Sequence, residues 1–315
     1  MAKKKYSRRN RKIEPAVKTL QFSIPGEATT SYIDLSQAAS IVNRRFYRQG
    51  INWAVAGFTL IAEDFDTGRV TINRLPSSWV VSNSWEKVFR SWKKQQDEVM
   101  DDGMQDSVMA RYNDFKVFFD QTHYDNTASA NLIPRDNQGL EYDKGEWEYS
   151  QVVVPNDGAP GVNWQPFLQM LGGSPAGTSP ASIGMIQAYA NSRATPQSPD
   201  PAVPTGVTTG AENVLRRLFD DGDNNDAVLD KIVGKNQNLP YDQDEYPGEV
   251  NAQSETVAVM QVTATSIGSM SRARGGSFPC GLLQIQGSMQ HDAKLYVHLV
   301  PGTHRGYLCE PMTEM

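Results

Sequence analysis

A mainly β fold is the fold class that this 315-residue sequence predicts, an antiparallel β-sandwich with long loops and two or three short inserted helices. Two observations favour it. Short apolar runs, several of them with period-two alternation, recur along the whole chain, whereas helical spacing is confined to a few segments. The 18 prolines and 25 glycines also imply many turns and long connections.

Alternation of apolar and polar residues predicts where the half-buried strands lie. In the clearest run, Leu295, Val297 and Leu299 alternate with more polar neighbours. Other runs are apolar on both faces, which is typical of strands packed between layers. The predicted strands are Leu20–Ile24, Ser31–Asp34, Trp53–Ala62, Val70–Ile72, Lys116–Phe119, Trp147–Val153, Thr256–Val262, Cys280–Gln286 and Leu295–Leu299.

Helical spacing predicts three helices, at Asn83–Met100, Leu35–Phe46 and Ala211–Phe219. In the first, aromatic and aliphatic residues recur at helical spacing with lysines and arginines between them. Packing on the sandwich is the simpler interpretation of this helix, and contact of its cations with nucleic acid is the alternative. Ser36 is the candidate N-cap of the second helix.

The domain boundary is predicted after residue 17. Residues 1–17 have too few apolar side chains to offset the entropy of ordering them, so we expect a disordered basic arm. Ser192–Gly210 contains four prolines and two glycines. Because strand-like segments resume at Glu255, we interpret it as a loop within a single domain that spans residues 18–315.

Charge is distributed unevenly along the chain. Met1–Lys12 holds seven cations and no acid, whereas the remainder has 23 basic and 36 acidic residues, a net charge of −13. Such a tail attracts phosphate, whereas the anionic body repels it. This separation of charge suits a protein shell with distinct inner and outer sides. The candidate nucleic-acid-binding residues are Lys3, Lys4, Lys5, Tyr6, Arg8, Arg9, Arg11 and Lys12.

The arm has a clear physical mode of binding. Lysine and arginine neutralise phosphates and release condensed counterions, and the Tyr6 ring can stack on an unpaired base. A nuclear-localisation signal or a solubilising tail would have a similar composition. Neither alternative excludes packaging of nucleic acid.

Motifs of enzymes and of metal sites are largely missing from the sequence. It has no phosphate-binding glycine loop, dinucleotide fingerprint, zinc-protease motif or nucleophile elbow. The histidines (His123, His291, His298 and His304) lack metal-ligand spacing. Asp221–Asp226 resembles the start of a calcium loop but lacks the required glycine and glutamate, although calcium between subunits stays open. We predict no catalytic site, no metal site and no cofactor.

The spacing of the cysteines and the hydropathy of the chain indicate the cellular compartment in which the protein is made. Cys280 and Cys309 are far apart in sequence, and the chain has no apolar run long enough to cross a membrane and no signal-peptide pattern. We expect a soluble protein made in the cytosol.

Three segments resemble coat proteins of small circular single-stranded DNA viruses, the CRESS-DNA group. They are Met1–Lys12 (MAKKKYSRRNRK), Val42–Gly57 (VNRRFYRQGINWAVAG) and Leu295–Met312 (LYVHLVPGTHRGYLCEPM). The resemblance covers the two ends and part of the middle of the chain. The arm departs from the most basic members of that group because it is short and has few arginine repeats.

The resemblance implies one jelly-roll domain over residues 18–315 that assembles with copies of itself into an icosahedral shell of about sixty subunits. It implies a structural protein without enzymatic activity, which packages single-stranded DNA through the arm and resides in the virion after passing through the host cytoplasm and nucleus. No membrane partner is expected. A coat protein of a small RNA virus, a cellular single-strand-binding protein and an enzyme on a β-sandwich are the alternatives.

Overall fold

A computed structural model describes residues 15–102, 114–126, 131–155, 163–173, 181–194, 253–265 and 269–312. The strands are β1 (Thr19–Ile24), β2 (Thr29–Asp34), β3 (Ile51–Ile61), β4 (Gly68–Arg74), β5 (Val154–Pro155), β6 (Asn163–Trp164), β7 (Phe167–Gln169), β8 (Ser182–Gly184), β9 (Glu255–Val262), β10 (Met270–Arg274), β11 (Ser277–Phe278), β12 (Leu282–Met289), β13 (Ala293–Leu299), β14 (Pro301–His304) and β15 (Cys309–Pro311). The helices are α1 (Leu35–Asn43), α2 (Trp79–Asp102), α3 (Gln121–Asp125) and α4 (Met185–Ala194). The prediction of a mainly β protein with antiparallel sheets is confirmed.

Eight strands form two antiparallel sheets. Sheet I has the order β1-β13-β3-β10, and sheet II has the order β2-β12-β4-β9. β11 and β15 also pair with the first residues of β3. Register places the inward residues in rows across sheet I, for example Phe22 opposite Leu295 and Leu295 opposite Leu60.

The inner faces of the two sheets share one hydrophobic core. Phe22, Phe58 and Leu295 of sheet I belong to the same buried cluster as Ile72 and Ile285 of sheet II. Two sheets that bury apolar faces against each other form a sandwich.

A second apolar layer covers part of the outer face of sheet II. Its cluster combines Tyr32 and Leu282, which point outward from that sheet, with aromatic residues of α2 and of the segment around Phe115. The Phe115 ring lies 5.4–5.8 Å from the rings of Trp85, Phe89 and Trp92. Most of this layer belongs to the long connection between β4 and β9.

Most of the predicted strands are found, but two of them and the predicted N-cap of α1 differ in the structure. Lys116–Phe119 and Trp147–Val153 were predicted as strands and are not strands of either sheet; they pack in the second layer and form isolated bridges there. Alternation identifies a half-buried extended segment, but not the sheet that it joins. The N-cap of α1 is Asp34 and not Ser36, because the Asp34 carboxylate accepts the N–H groups of Ser36 and Gln37.

The helical predictions differ in outcome. The aromatic face of α2 is buried as expected, and the helix is 24 residues long, longer than predicted. Two of its cations form ion pairs one turn apart on the same helix, Arg90 with Glu86 and Lys94 with Glu98. The predicted helix at Ala211–Phe219 and the loop at Ser192–Gly210 lie mostly or wholly outside the described residues.

Neighbouring residues of β13 test the assignment of sheet faces. Leu295 is fully buried and Lys294 is exposed. Leu295→Ala should lower the free energy of unfolding by about 2–5 kcal/mol because it opens a cavity in the shared core. Urea titration of the full-length chain with tryptophan fluorescence measures the change. Lys294→Ala is the control, with an expected effect of less than about 0.5 kcal/mol; a loss as large as that of Leu295→Ala would contradict the face assignment.

Candidate nucleic-acid interface

The predicted binding residues Lys3 to Lys12 lie outside the described residues. The described chain begins at Pro15, directly before β1, which is an edge strand of sheet I. Val17 is held at both of its backbone groups: its N–H donates to Asn43 Oδ1 at 3.0 Å, and its carbonyl accepts the Tyr307 hydroxyl at 2.6 Å. Lys18 hydrogen-bonds the Gly306 carbonyl and lies over the Tyr307 ring. The root of the arm is therefore fixed to the body.

The outer face of sheet I carries cations. Register aligns outward residues in three rows across its four strands, and no residue of these three rows is acidic. We call these twelve residues the basic face: Thr19, His298, Gly57 and Arg274; Gln21, Tyr296, Thr59 and Arg272; Ser23, Lys294, Ile61 and Met270. The side chains of Arg272, Arg274 and Lys294 are exposed, and none of them forms an ion pair with another residue in the described ranges.

His298 lies at the centre of the row nearest the arm. Its Nδ1 is 3.1 Å from the Thr19 hydroxyl, and its Nε2 is 2.9 Å from the Thr59 hydroxyl. Because a hydroxyl can both donate and accept, these two contacts hold the His298 ring between β1 and β3 within the row.

None of the twelve residues of the basic face is acidic, whereas exposed acids are found in the described connections. Asp143, Glu146 and Glu148 are exposed in the segment that follows Tyr142. The contrast of charge is thus present within the body itself, and not only between the arm and the body. Sequence reasoning recognised the alternation of β13 but missed the basic face, because β10 was not predicted as a strand and only the register brings its arginines beside β13.

His123 is the most buried histidine and has a structural role. Its Nδ1 accepts the Phe119 N–H at 3.0 Å, so its Nε2–H donates to Asn131 Oδ1 at 3.1 Å. The ring is fully buried and stacks on Tyr32 with centroids 4.1 Å apart. Burial lowers the pKa of His123 to about 3, and the ring is neutral at pH 7. Its ring nitrogens are engaged by protein groups, which leaves none for a substrate.

The nearby carboxylates are also held by protein groups. Asp120 accepts hydrogen bonds from the Tyr32 hydroxyl and from Gln284 Nε2, both at 2.7 Å. Asp34 caps α1 and accepts from Gln49 Nε2 at 2.9 Å, and burial raises the pKa of Asp34 to about 7. These hydrogen bonds join the second layer to sheet II. The buried polar network therefore stabilises this packing, and the carboxylates and imidazole described here are bonded to protein partners.

In the described part of the chain, no three His, Cys, Asp or Glu residues are grouped to hold a metal ion. No described helix is long and apolar enough to cross a membrane. The calcium-loop candidate Asp221–Asp226 lies outside the described residues.

Comparison with known proteins gives no relative. No protein-family model matches the chain, and the chain matches no curated protein and no solved structure.

The buried state of His123 predicts how stability depends on pH. The folded ring stays neutral down to about pH 3, whereas the unfolded ring binds a proton below its usual pKa of about 6.5. The contribution of His123 to folding is therefore complete above pH 6.5 and falls as the pH drops toward 3, by about 2 kcal/mol at pH 5. We therefore compare the free energy of unfolding of the wild type with that of His123→Gln. Lowering the pH from 7.5 to 5 should shift this difference by about 2 kcal/mol against the wild type.

Urea titrations at the two pH values measure this difference, and comparison with a variant cancels the contributions of other groups such as Asp34. A difference that stays constant for His123→Gln would show that the ring is not held neutral.

The basic face predicts a salt dependence of its own. Replacing Arg272 and Arg274 by alanine should make the slope of log affinity against log salt shallower by about 1.4 for single-stranded DNA, because two phosphate contacts are lost. The double variant Lys93→Ala, Lys94→Ala on the exposed side of α2 is the control and should leave the slope unchanged. The reverse pattern would favour α2 as the contact surface. Fluorescence anisotropy of a labelled oligonucleotide across salt concentrations gives both slopes.

Proposed function

We propose that this chain is the coat protein of a small virus, a subunit that assembles with copies of itself into an icosahedral shell and packages single-stranded nucleic acid, with DNA favoured. The observation that carries the proposal is the attachment of a seven-cation arm to the edge of a basic sheet face, on a body with a net charge of −13. The arm and the basic face carry cations that attract phosphate, whereas the body as a whole is negatively charged. That polarity suits a wall with an inner and an outer side.

The order of the strands supports the finer proposal that the sandwich is a jelly roll. When the eight strands of sheets I and II are counted in chain order, the first pairs with the eighth, the second with the seventh, the third with the sixth and the fourth with the fifth. A jelly roll, which is two nested Greek keys, has this pattern. Because one fold serves many functions, the topology supports a shell protein only together with the charge pattern.

The connections of the sandwich fit the same proposal. Those between β1 and β2, β3 and β4, β9 and β10, and β12 and β13 have three to seven residues, whereas β4 and β9 are separated by residues 75–254. Long excursions give a shell subunit the surface with which it contacts its neighbours.

The basic face also improves the charge balance of packaging. Sixty arms would supply only about 420 positive charges, and the three cations of the basic face would raise the total to about 600. Small ions would neutralise the remaining phosphates. The arm would in addition serve import into the host nucleus before assembly.

A cellular single-strand-binding protein is the second candidate, and the basic face favours it more than the sequence alone did. A coat protein of a small RNA virus shares every feature described here. Assembly into shells would distinguish a coat protein from the cellular candidate. Competition between DNA and RNA strands for binding would distinguish a DNA genome from an RNA genome.

The arm and the assembly are tested together on purified full-length protein. Replacing the seven cations of Met1–Lys12 by glutamine keeps the length of the arm and should reduce the salt slope for single-stranded DNA by about 5. Binding measured by anisotropy at several salt concentrations gives the slope.

Negative-stain electron microscopy of the same two proteins tests the shell. The wild type should form uniform hollow spheres. A chain that stays monomeric across salt and pH, or a slope that the glutamine variant does not change, would contradict the proposed function.

A further inference from the structure

A cavity of about 230 Å³ lies where sheet I ends beside the arm. Gln21 and Tyr296 of the basic face line one part of it, and Asn137 and Tyr142 of the neighbouring connection line another. Val17, at the root of the arm, also borders the cavity. The cavity therefore connects the edge of the basic face with the point where the arm leaves the body.

The wall formed by residues 134–142 is held in place. Its Arg135 N–H donates to the Gln21 carbonyl at 2.7 Å, which attaches the segment to the edge of β1. Within the segment, the Tyr142 N–H donates to the Pro134 carbonyl at 3.1 Å, and Asp136 Oδ1 accepts two backbone N–H groups at 2.9 Å. A site whose wall is already ordered loses little entropy when a ligand enters.

The lining suits a neutral and planar ligand. Its charges are engaged within the segment: Arg135 Nη2 bonds Glu141 at 2.9 Å, and Asp136 accepts the backbone bonds described above. The amides of Gln21 and Asn137 make no side-chain hydrogen bond to another residue in the described ranges, nor do the hydroxyls of Tyr142 and Tyr296. Two phenol rings and two amides offer stacking surfaces, donors and acceptors, which is the chemistry that recognises an unpaired base.

Cations stand at suitable distances around the cavity. Lys294 lies two residues from Tyr296 on the same face of β13, roughly 7 Å along the strand. Arg272 lies in the same row as Tyr296, two strands away, roughly 10 Å across the sheet. A strand whose phosphates follow the basic face can therefore turn one base toward the sheet edge.

From this arrangement we infer that the cavity receives one unpaired base of a single strand whose phosphates lie on the basic face. The inference rests on the proposed binding of single-stranded nucleic acid and adds to it a site on the body, separate from the arm. It also provides selection of single strands, since the bases of a duplex are paired and cannot enter.

The test compares two short oligonucleotides, one of deoxythymidine and one with the same backbone and abasic positions, on the full-length chain. The wild type should bind the intact strand about tenfold more tightly than the abasic strand, from the stacking of one base. Tyr142→Ala should reduce this preference to about twofold or less while affinity for the abasic strand stays the same. Tyr142→Phe keeps the ring and should keep the preference.

Asn137→Ala, at an exposed position, is a second variant in case Tyr142→Ala folds poorly, and it should reduce the preference about threefold. Tyr189→Ala on α4 is the matched control and should change nothing. The inference would be overturned if Tyr142→Ala weakened the binding of both oligonucleotides equally. It would also be overturned if neither affinity changed, which is the result expected if residues 1–14 fill the cavity. Intact shells and an arm-dependent salt slope would then leave the proposed function standing, whereas a monomer that does not bind DNA would refute that function itself.

Discussion

The antiparallel pairing of β1 with β13 is the constraint on which the rest of the arrangement depends. It joins the first described strand to a strand far along the chain, with Thr19 opposite His298 and Ile24 opposite Ala293. Such a distant contact is entropically costly to form, and the buried row of Phe22, Leu295 and Leu60 offsets that cost. The pairing closes sheet I on the core and at the same time fixes where the arm leaves the body.

The basic face follows from that pairing by simple geometry. Successive side chains of a strand point to opposite sides, so the residues that fill the core on one side place their neighbours on the other. Antiparallel register then brings Arg272 and Arg274 of β10 into rows with Tyr296 and His298 of β13, across β3. Cations that are scattered in sequence become one surface because the strands that carry them share a sheet. The root of the arm lies at the end of the same surface.

The second layer is attached by polar as well as apolar contacts. Asp120, Tyr32 and Gln284 are bonded to one another across the boundary between the layer and sheet II. Buried polar groups need partners, and a network in which they are satisfied favours one arrangement over others. The described parts of the long connection between β4 and β9 are therefore held at defined positions on the sandwich, although they add no strand to sheet I or sheet II. The groups that would look catalytic in isolation, His123 above all, belong to this structural network.

The sequence by itself determined the fold class, the inward faces of most sandwich strands, the aromatic side of α2 and the separation of the basic arm from an acidic body. Each depends on periodicity or charge within a short stretch, which local sequence carries directly. It placed Lys116–Phe119 and Trp147–Val153 in strands of the sandwich, because a half-buried segment has the same pattern whether it joins a sheet or packs on one. Only the tertiary structure decided the order of the strands, the basic face and the cavity beside Tyr142. These arise where residues distant in the chain meet, and hydrogen-bond register, which no local pattern encodes, decides which residues meet.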